Sequence, residues 1–508
     1  MSQIPAEVPV DLVAQPGKNS HPDPGWRLAI TFAAVAVLFL APTPQSMARN
    51  ILGLTVSLVD RGSVVLDLPR GMDAAERDGK ILSGMPPGAS FLAVPVYAVF
   101  RPWLGHLPME QKLTWLYMLC TVLLGLPAAA GTVYLTFRLL QDWGLPTQAA
   151  ALSTGLLAFG TMHLGYATGY YKKSLAAFCL VAAFWLLRRI GSKPHPIPAA
   201  CLAGALNGLA IALDYPTGII VICLSGYLLS RKPCGWAVAV FALGMMLALL
   251  PVLSYHQAAF GSPWATPYGF RIHPEGNILG FPDPVAFLFL GGTLVAASPC
   301  LVWAACGWWR AVQSRTLIVE MWTIAGVAGG TLLLFSCWSS YYPHEASFGS
   351  RLLLPMLPFA ALPMALGLPK RATPWACLVA AWSIGATLLA AQAVMIPSGT
   401  LPPWYAVKVL GTSWGSGPLF TEGLAAWLDL PTLHRAINES GVRPSTLLRT
   451  AGASELLRLF AGQAAIKTLS ISATAFVAGL LWVAVWRPYL RRRVATPLDI
   501  TYPSPSTP

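Results

Sequence analysis

The chain has 508 residues, of which 55% are hydrophobic and only 10% are charged. Soluble proteins carry about 25% charged residues, so this composition excludes an ordinary soluble domain and indicates an all-α polytopic membrane protein. The formal charge of +13 does not indicate a nucleic-acid partner, because the basic residues lie mostly in short loops between apolar stretches. The nine cysteines show no CxxC spacing, and we expect no disulfide framework, metal site or cofactor.

The polar, proline-rich residues 1–25 predict a disordered cytoplasmic tail, and no small-residue cleavage site follows the first apolar run. About twelve apolar stretches follow, each near the roughly 20 residues that a helix needs to cross the hydrocarbon core. They lie at residues 26–43, 114–137, 147–164, 174–187, 196–213, 217–230, 234–255, 284–309, 317–337, 352–368, 374–396 and 468–486. The sequence thus predicts a transmembrane domain over 26–396, an extracytoplasmic segment over 397–467, a last transmembrane helix over 468–486 and a basic cytoplasmic tail over 487–508.

Lysine and arginine occur in every second loop, which predicts that these loops and both termini lie in the cytoplasm. The outer side then receives the long segments 44–113, 256–283, 338–351 and 397–467. Counting the apolar run 91–104 as another span would reverse every later loop. We therefore expect an embedded or juxtamembrane helix there, after the turn Pro86-Pro87-Gly88.

The first outer loop, residues 44–113, holds the densest group of acidic residues in the chain. Asp60 lies roughly four to five helical turns beyond the first span, where a carboxylate could take a proton from an acceptor hydroxyl. The alternative is that Asp60 ends a helix before Gly62 and is neutralised by Arg61.

Further along this loop, Asp73 and Glu76 precede Arg77 and Lys80 by four residues each, the spacing of stabilising ion pairs on a helix. Such pairing is the favoured role of Glu76. Asp78 and Lys80 flank a glycine turn and could instead face a site. Asp73 and Asp78 are therefore further candidates for a catalytic base.

Two lysines, Lys172 and Lys173, lie at the predicted outer mouth of two helices, against the cytoplasmic bias of basic residues. They could neutralise the phosphate of a lipid, or extend to headgroups at the membrane interface. Asp214 and Tyr215 form a tight outer turn with Pro216. The favoured role of Asp214 is to cap the helix that follows.

The outer segment 338–351 combines His344, Glu345 and Arg351 with aromatic residues. Arginine suits bidentate phosphate contacts, and Glu345 could be its partner when no phosphate is bound. The candidate substrate- or phosphate-binding residues are Lys80, Lys172, Lys173, His344, Glu345, Arg351, Asp214 and Tyr215.

Three motifs fall on the predicted outer side in a fixed order. They comprise Asp78-Gly79-Lys80 with Ser83, Pro86-Pro87-Gly88, Leu92, Pro95 and Tyr97; Phe260-Gly261-Ser262-Pro263 with Tyr268-Gly269; and Ser347-Phe348-Gly349-Ser350-Arg351 with Leu353-Leu354-Pro355 and Pro358. Together they resemble the C-type membrane glycosyltransferases (GT-C), the superfamily of protein mannosyltransferases and aminoarabinose transferases. The resemblance covers roughly residues 26–370.

This resemblance implies a GT-C-like helical bundle in a bacterial inner membrane. It implies a polyprenyl-phosphate sugar donor whose phosphate binds at the outer surface, and a lipid, glycan or protein acceptor. It further implies a general-base carboxylate in the first loop and inversion at the anomeric carbon. The sequence departs from the pattern because residues 46–50 contain no acid, and because Lys172 and Lys173 replace an acid often found in the second outer loop. Asp60, Asp73 and Asp78 therefore all remain candidates for the base.

Two other functions fit a polytopic protein. A transporter or flippase of a lipid-linked substrate often shows two related halves, and this sequence shows no such repeat and few charges within its spans. A non-catalytic membrane assembly subunit would be favoured if an outer cavity were missing or lacked carboxylates.

Overall fold

The computed structural model of the chain describes residues 24–40, 44, 46–69, 73–190, 196–231, 234–271, 280–338, 350–371 and 373–392. The predicted segments 397–467, 468–486 and 487–508 lie outside the described residues, as do His344 and Glu345.

The described residues are mainly helical. The helices are α1 Pro24–Leu38, α2 Ser46–Arg61, α3 Gly88–Leu104, α4 Met109–Cys120, α5 Leu126–Asp142, α6 Thr147–Gly160, α7 His163–Ala167, α8 Lys172–Arg189, α9 Pro196–Leu213, α10 Gly218–Ser230, α11 Gly235–Phe260, α12 Pro284–Ala297, α13 Val302–Ser314, α14 Ile318–Ser336, α15 Ala361–Gly367 and α16 Pro374–Gln392. A π-helical turn, Thr121–Gly125, joins α4 to α5, and 3₁₀ turns occupy Tyr215–Thr217, Pro267–Phe270, Pro299–Leu301 and Arg351–Ala360. Two short strands, β1 Ala74–Arg77 and β2 Lys80–Ser83, form an antiparallel hairpin.

Within the described residues, three helical segments are long and apolar enough to cross a bilayer: Met109–Asp142, Gly235–Phe260 and Ile318–Ser336. The bent pair Pro284–Ala297 and Pro299–Ser314 makes a fourth if it counts as one span. Shorter apolar helices of 10–17 residues occupy five other predicted spans. The predicted class, an all-α polytopic membrane protein, is confirmed.

The predicted span 284–309 is bent, because its two helical parts, Pro284–Ala297 and Pro299–Ser314, meet at an angle of 109°. Ser298 leaves the helical conformation, with φ −140° and ψ 67°. Pro299 explains the break, since proline lacks a backbone N–H and disfavours the helical conformation in the residue before it.

Helices α9 and α11 pack closely because glycines form their contact. A Cβ atom at Gly204 would collide with the carbonyl oxygen of Phe241, and one at Gly244 would collide with that of Cys201. Small residues let helix backbones approach in this way inside a membrane, where apolar burial alone does not drive association.

The first loop is helix, hairpin and helix. Gly62, with φ +60°, follows the end of α2. The hairpin then turns at Asp78 and Gly79, whose φ values are +52° and +71°, as an Asp-Gly hairpin turn requires. The predicted helical ion pairs of residues 73–80 are therefore wrong, since strand register places Arg77 opposite Lys80.

Helix α3 begins at Gly88, where its backbone meets the end of α9. A Cβ atom at Gly88 would lie 2.5 Å from the carbonyl carbon of Ala212. The Tyr170 hydroxyl donates a hydrogen bond to the Ala89 carbonyl oxygen at 2.6 Å. These contacts fix the Pro-Pro-Gly turn against the ends of α8 and α9.

Candidate functional site

Two lysines and one aspartate meet where α8 begins and α9 ends. Lys172 Nζ lies 2.8 Å from Asp214 Oδ1, and Lys173 Nζ lies 2.6 Å from Asp214 Oδ2. All three side chains are at most 4% exposed. The lysines therefore do not extend to the membrane interface, which was the alternative role expected for them.

The Asp214 carboxylate is held ionised by its two partners. Burial alone would raise the pKa of Asp214, but the two ammonium groups outweigh burial and lower the pKa to about 2. Two buried ammonium groups need such an anion, because an unpaired charge in a low-dielectric interior is costly. The three residues form a tightly bound cluster with one excess positive charge.

The expected capping role of Asp214 is wrong. Asp214 occupies the N-cap position of the Tyr215–Thr217 turn, but its side chain makes no capping hydrogen bond. Two ammonium groups attract a buried carboxylate more strongly than a single backbone N–H does.

A small pocket with a volume of about 50 Å³ opens beside this cluster. Its described lining combines cationic side chains with apolar ones: Lys172, Lys173, Arg271 and Arg351 with Met47, Met85, Pro216, Phe335, Trp338 and Leu352, together with Tyr268 and Asp214. The lining comes from segments that the positive-inside rule places on the outer side. Such a pocket suits an anion attached to an apolar chain.

Arg271 is a pocket residue that the sequence analysis missed. Its guanidinium carbon lies 4.6 Å from the centroid of the Tyr268 ring. Its Nε and Nη2 each donate to the Gly84 carbonyl oxygen at 3.3 Å, and its backbone bridges to Ala75 of β1. The pattern that could have identified it is a lone arginine in an outer segment, two residues after the Tyr268-Gly269 motif.

Of the three candidate bases, Asp73 has a backbone hydrogen bond to a residue that contacts the pocket residue Arg271, although Asp73 itself does not line the pocket. The Gly84 N–H donates to the Asp73 carbonyl oxygen at 3.0 Å, and the carbonyl of the same Gly84 accepts from Arg271. Asp73 is half-buried. Asp73 is therefore linked through a single residue, Gly84, to the pocket cation Arg271.

Asp78 and Lys80 lie at the other end of the hairpin. The Asp78 side chain is 78% exposed and 3.3 Å from Arg77 Nε, and Lys80 is exposed. A four-residue strand extends about 13 Å, so the hairpin carries both residues away from Asp73 and the pocket.

Asp60 belongs to a separate cluster that joins α2, α3 and α4. Its Oδ1 lies 2.8 Å from Arg101 Nε, and its Oδ2 lies 3.6 Å from Lys112 Nζ. The Tyr97 hydroxyl donates to Oδ2 at 2.8 Å. Burial and this hydrogen bond raise the pKa of Tyr97, which keeps the phenol a donor. The expected neutralisation of Asp60 by Arg61 is replaced by the pairing with Arg101 and Lys112.

The Asp60 cluster is remote from the lysine pocket. Met47 lines that pocket, and Asp60 follows it by 13 residues in the same helix, which corresponds to about 20 Å. A different cavity adjoins Asp60, lined by Ala98, Arg101, Pro102 and Gly105. Asp60 therefore does not share a chamber with Lys172 and Lys173.

Tyr215 does not line the pocket but packs against Tyr268, which does. Its hydroxyl is 2.7 Å from His256 Nε2, and His256 Nδ1 is 3.0 Å from the Pro263 carbonyl oxygen. Because a carbonyl oxygen only accepts, Nδ1 carries the hydrogen and Tyr215 donates to Nε2. The Tyr215 ring also meets the ring of the pocket residue Tyr268 edge-on, with centroids 5.6 Å apart.

Arg351 is the one residue of the candidate trio in segment 338–351 that falls within the described part of the chain. It begins the 3₁₀ turn Arg351–Ala360 and lines the pocket. No group of three or more His, Cys, Asp or Glu side chains that could hold a metal ion occurs among the described residues.

The fold and this site define a polytopic helical membrane protein with a basic, apolar-walled pocket formed at helix ends. Neither a protein-family model nor a curated protein sequence matches the chain.

Two solved structures are similar in overall arrangement. ArnT from Cupriavidus metallidurans bound to undecaprenyl phosphate is 13% identical, with a TM-score of 0.47 over 92% of this chain and 77% of that one. The archaeal oligosaccharyltransferase AglB from Archaeoglobus fulgidus, in complex with an inhibitory peptide and a dolichol-phosphate, is 12% identical, with a TM-score of 0.44 over 82% of this chain and 59% of that one. At these TM-scores the likeness concerns the general course of the helices and carries no argument about the site.

Proposed function

We propose that the protein is a membrane glycosyltransferase of the GT-C type. It moves a sugar from a polyprenyl-phosphate donor to an acceptor hydroxyl on the extracytoplasmic side of a bacterial inner membrane, with both termini in the cytoplasm. The observation that carries the proposal is the pocket, which joins four cationic side chains to an apolar wall. The first-loop motifs, which resemble this superfamily, also support it.

The pocket matches the two parts of a lipid phosphate. Lys172 and Lys173 supply ammonium groups at one side, while Arg271 and Arg351 bring guanidinium groups that suit phosphate oxygens. Apolar side chains, including Phe335, complete the lining and suit the first isoprene units of the lipid.

The proposed reaction needs cations that stabilise the departing phosphate and a base that accepts the proton of the acceptor hydroxyl, and the chain has residues for both roles. The bond between the anomeric carbon and the phosphate oxygen breaks, and its electron pair remains on the phosphate. The pocket cations stabilise the charge that develops there. The acceptor oxygen attacks the anomeric carbon from the opposite face and gives its proton to a carboxylate, which yields an inverted glycoside and a free lipid phosphate.

We assign the role of general base to Asp73. It is the first-loop acid whose backbone is linked through Gly84 to the pocket cation Arg271. Asp78 is carried away by the hairpin, and Asp60 is bound to Arg101 and Lys112 about 20 Å along α2. Asp73 is half-buried, as a carboxylate at the edge of a solvent-accessible cleft would be.

The test uses purified protein in detergent, polyprenyl-phosphate hexose or pentose with a radiolabelled sugar, and a bacterial envelope extract as the source of acceptor. We expect label to pass from lipid to acceptor with the wild type. Asp73→Asn should lower the rate by about 10²–10⁴-fold, the usual contribution of a general base. Asp78→Asn is the matched control and should retain the wild-type rate.

Undecaprenyl-phosphate binding, measured in parallel, separates chemistry from substrate capture. Asp73→Asn should bind the lipid as the wild type does. An Asp73→Asn variant with undiminished transfer would remove Asp73 as the base. Movement of labelled lipid across proteoliposomes without cleavage of the sugar bond would identify a flippase, and binding without transfer would identify a non-catalytic subunit.

A further inference from the structure

The Asp214 carboxylate holds the position that a phosphate would take between the two lysines. Its oxygens are divided between the ammonium groups, with Oδ1 2.8 Å from Lys172 Nζ and Oδ2 2.6 Å from Lys173 Nζ. A phosphate ester also presents two oxygens to a pair of cations. An anion that enters this pocket thus meets ammonium groups that already bind a carboxylate.

The turn beside Asp214 does not compete for this carboxylate. Asp214 stands at the N-cap of the Tyr215–Thr217 turn, yet its side chain makes no capping bond. Pro216 has no N–H to donate, and the Thr217 N–H and hydroxyl already donate to the Asp214 backbone oxygen at 2.9 and 2.7 Å. The two ammonium groups are therefore the partners from which an entering anion would displace the carboxylate.

We propose that Asp214 is an exchangeable counter-ion. The donor phosphate displaces its carboxylate from Lys172 and Lys173 and takes its place between the two ammonium groups. This inference rests on the proposed function, because it requires a lipid phosphate to bind in the pocket.

Charge balance gives the exchange a direction during the reaction. A sugar-linked lipid phosphate is a phosphodiester with one negative charge, whereas the lipid phosphate left after transfer carries up to two. Displacing Asp214 removes one negative charge from beside the pocket cations, which favours the more negative product, so the product is held most tightly while Asp214 is displaced. Return of Asp214 to the lysines then competes with the product and favours its release.

The alternative role for Asp214 is a permanent one. In that case the carboxylate would stay between the lysines in every state and would position them for the phosphate. The two roles predict opposite effects when the negative charge is removed. Loss of a permanent partner weakens phosphate binding, and loss of a competitor strengthens it.

The experiment compares Asp214→Asn with the wild type, using undecaprenyl phosphate as the probe in detergent micelles. We expect at least tenfold tighter binding, a larger increase in unfolding temperature on adding the lipid, and slower release of the product. Asp60→Asn is the matched control, because it removes a carboxylate that also lies between two cations but is remote from the pocket. Its affinity should equal that of the wild type.

The outcomes separate this inference from the proposed function. Absence of undecaprenyl-phosphate binding to either protein would overturn both. Binding to the wild type, with equal or weaker binding to Asp214→Asn, would overturn the exchange alone and leave the transferase intact.

A second measurement covers the case in which Asp214→Asn does not fold. Infrared difference spectra are recorded on adding undecaprenyl phosphate to the Asp73→Asn variant, which lacks the carboxylate that we propose as the base. We expect the carboxylate stretching band of Asp214 to shift as the carboxylate leaves its two ammonium partners. Lipid binding with unchanged carboxylate bands would overturn the proposal.

Discussion

The chain places one carboxylate between two cations at two separate sites, and the sites differ in burial. Asp214 and the two lysines that begin α8 have side chains at most 4% exposed. At the other site the side chain of Asp60 is 23% exposed, and that of its partner Arg101 is 51% exposed. The charge pattern is the same, but water reaches only the second cluster freely.

This difference in burial is the reason why we propose a binding role for the lysine cluster and a structural role for the Asp60 cluster. Solvent screens the pairing of Asp60 with Arg101, so the pair joins α2 to α3 with a modest stabilising effect. The buried lysines are scarcely screened, and any change of anion beside them has a large effect. We therefore expect substitutions at the two clusters to affect different properties.

The largest contrast should come from removing one lysine at each cluster. Lys173→Met leaves Asp214 paired with Lys172 and takes away a cation that, in the proposed reaction, stabilises the departing phosphate. We expect sugar transfer to fall by roughly 10²–10³-fold, with weaker undecaprenyl-phosphate binding. The matched variant Lys112→Met removes the lysine beside Asp60 and should leave transfer within twofold of the wild type. Equal losses of sugar transfer in the two variants would contradict the proposed difference between the two clusters.

Substitution of Gly88 tests the close contact between the start of α3 and the end of α9. Gly88→Ala places a methyl group 2.5 Å from the backbone carbon of Ala212, and the backbone has no side-chain freedom with which to yield. We expect a loss of about 3 kcal/mol in the free energy of unfolding, the upper part of the range for overpacking. Gly226→Ala in α10 is the control, since a Cβ atom there meets nothing within 4 Å. Thermal unfolding in detergent measures both, and a stable Gly88→Ala protein would contradict the close approach.

Strong acid should remove the stabilisation that the ionised Asp214 contributes to the buried cluster. The ammonium partners lower the pKa of Asp214 from 3.8 to about 2, so folding favours its ionised form. The resulting stabilisation, on the order of 2 kcal/mol, is fully present above about pH 4 and is lost as the pH falls through about 2. Unfolding free energies measured between pH 5 and pH 2 should show this loss in the wild type and lack its Asp214 component in Asp214→Asn. An identical pH dependence of the unfolding free energy in the two proteins would contradict this contribution of Asp214.

The smallest effect is expected at the exposed partner of Asp60. Arg101→Gln removes an ion pair with a half-exposed guanidinium, so we expect a loss of about 0.5 kcal/mol in stability. Sugar transfer should be unchanged, because Arg101 lies beside the other cavity. Unfolding and sugar transfer are measured in parallel for this variant. A fall in transfer without a fall in stability would contradict the structural role of Arg101.

The helical membrane class could be predicted because the length of each apolar stretch can be counted directly from the sequence. The hairpin was not predicted, although Asp78-Gly79 is a hairpin turn sequence, because the charges at 73–80 also fit the four-residue spacing of a helix. The break at Pro299 was missed for a similar reason, since the apolar pattern continues through it.

The candidate site was only partly predictable. The unusual position of Lys172 and Lys173 marked them as candidates, but their pairing with Asp214 spans about 40 residues of chain. Such a contact depends on how α8 packs against α9, which no local pattern specifies. Arg271 was missed because its contact with Gly84 joins segments 187 residues apart. The choice of Asp73 among three acids likewise needed coordinates.

The glycine contact between α9 and α11 has a mechanical consequence for the pocket. Gly204 lies against the Phe241 backbone and Gly244 against that of Cys201, so the two helices pack backbone to backbone. Asp214 follows α9, and His256, whose ring nitrogen is bonded to the Tyr215 hydroxyl, lies near the end of α11. We expect the two helices to tilt as one unit when a bilayer thins or thickens, which would preserve the spacing between the aspartate turn and the histidine.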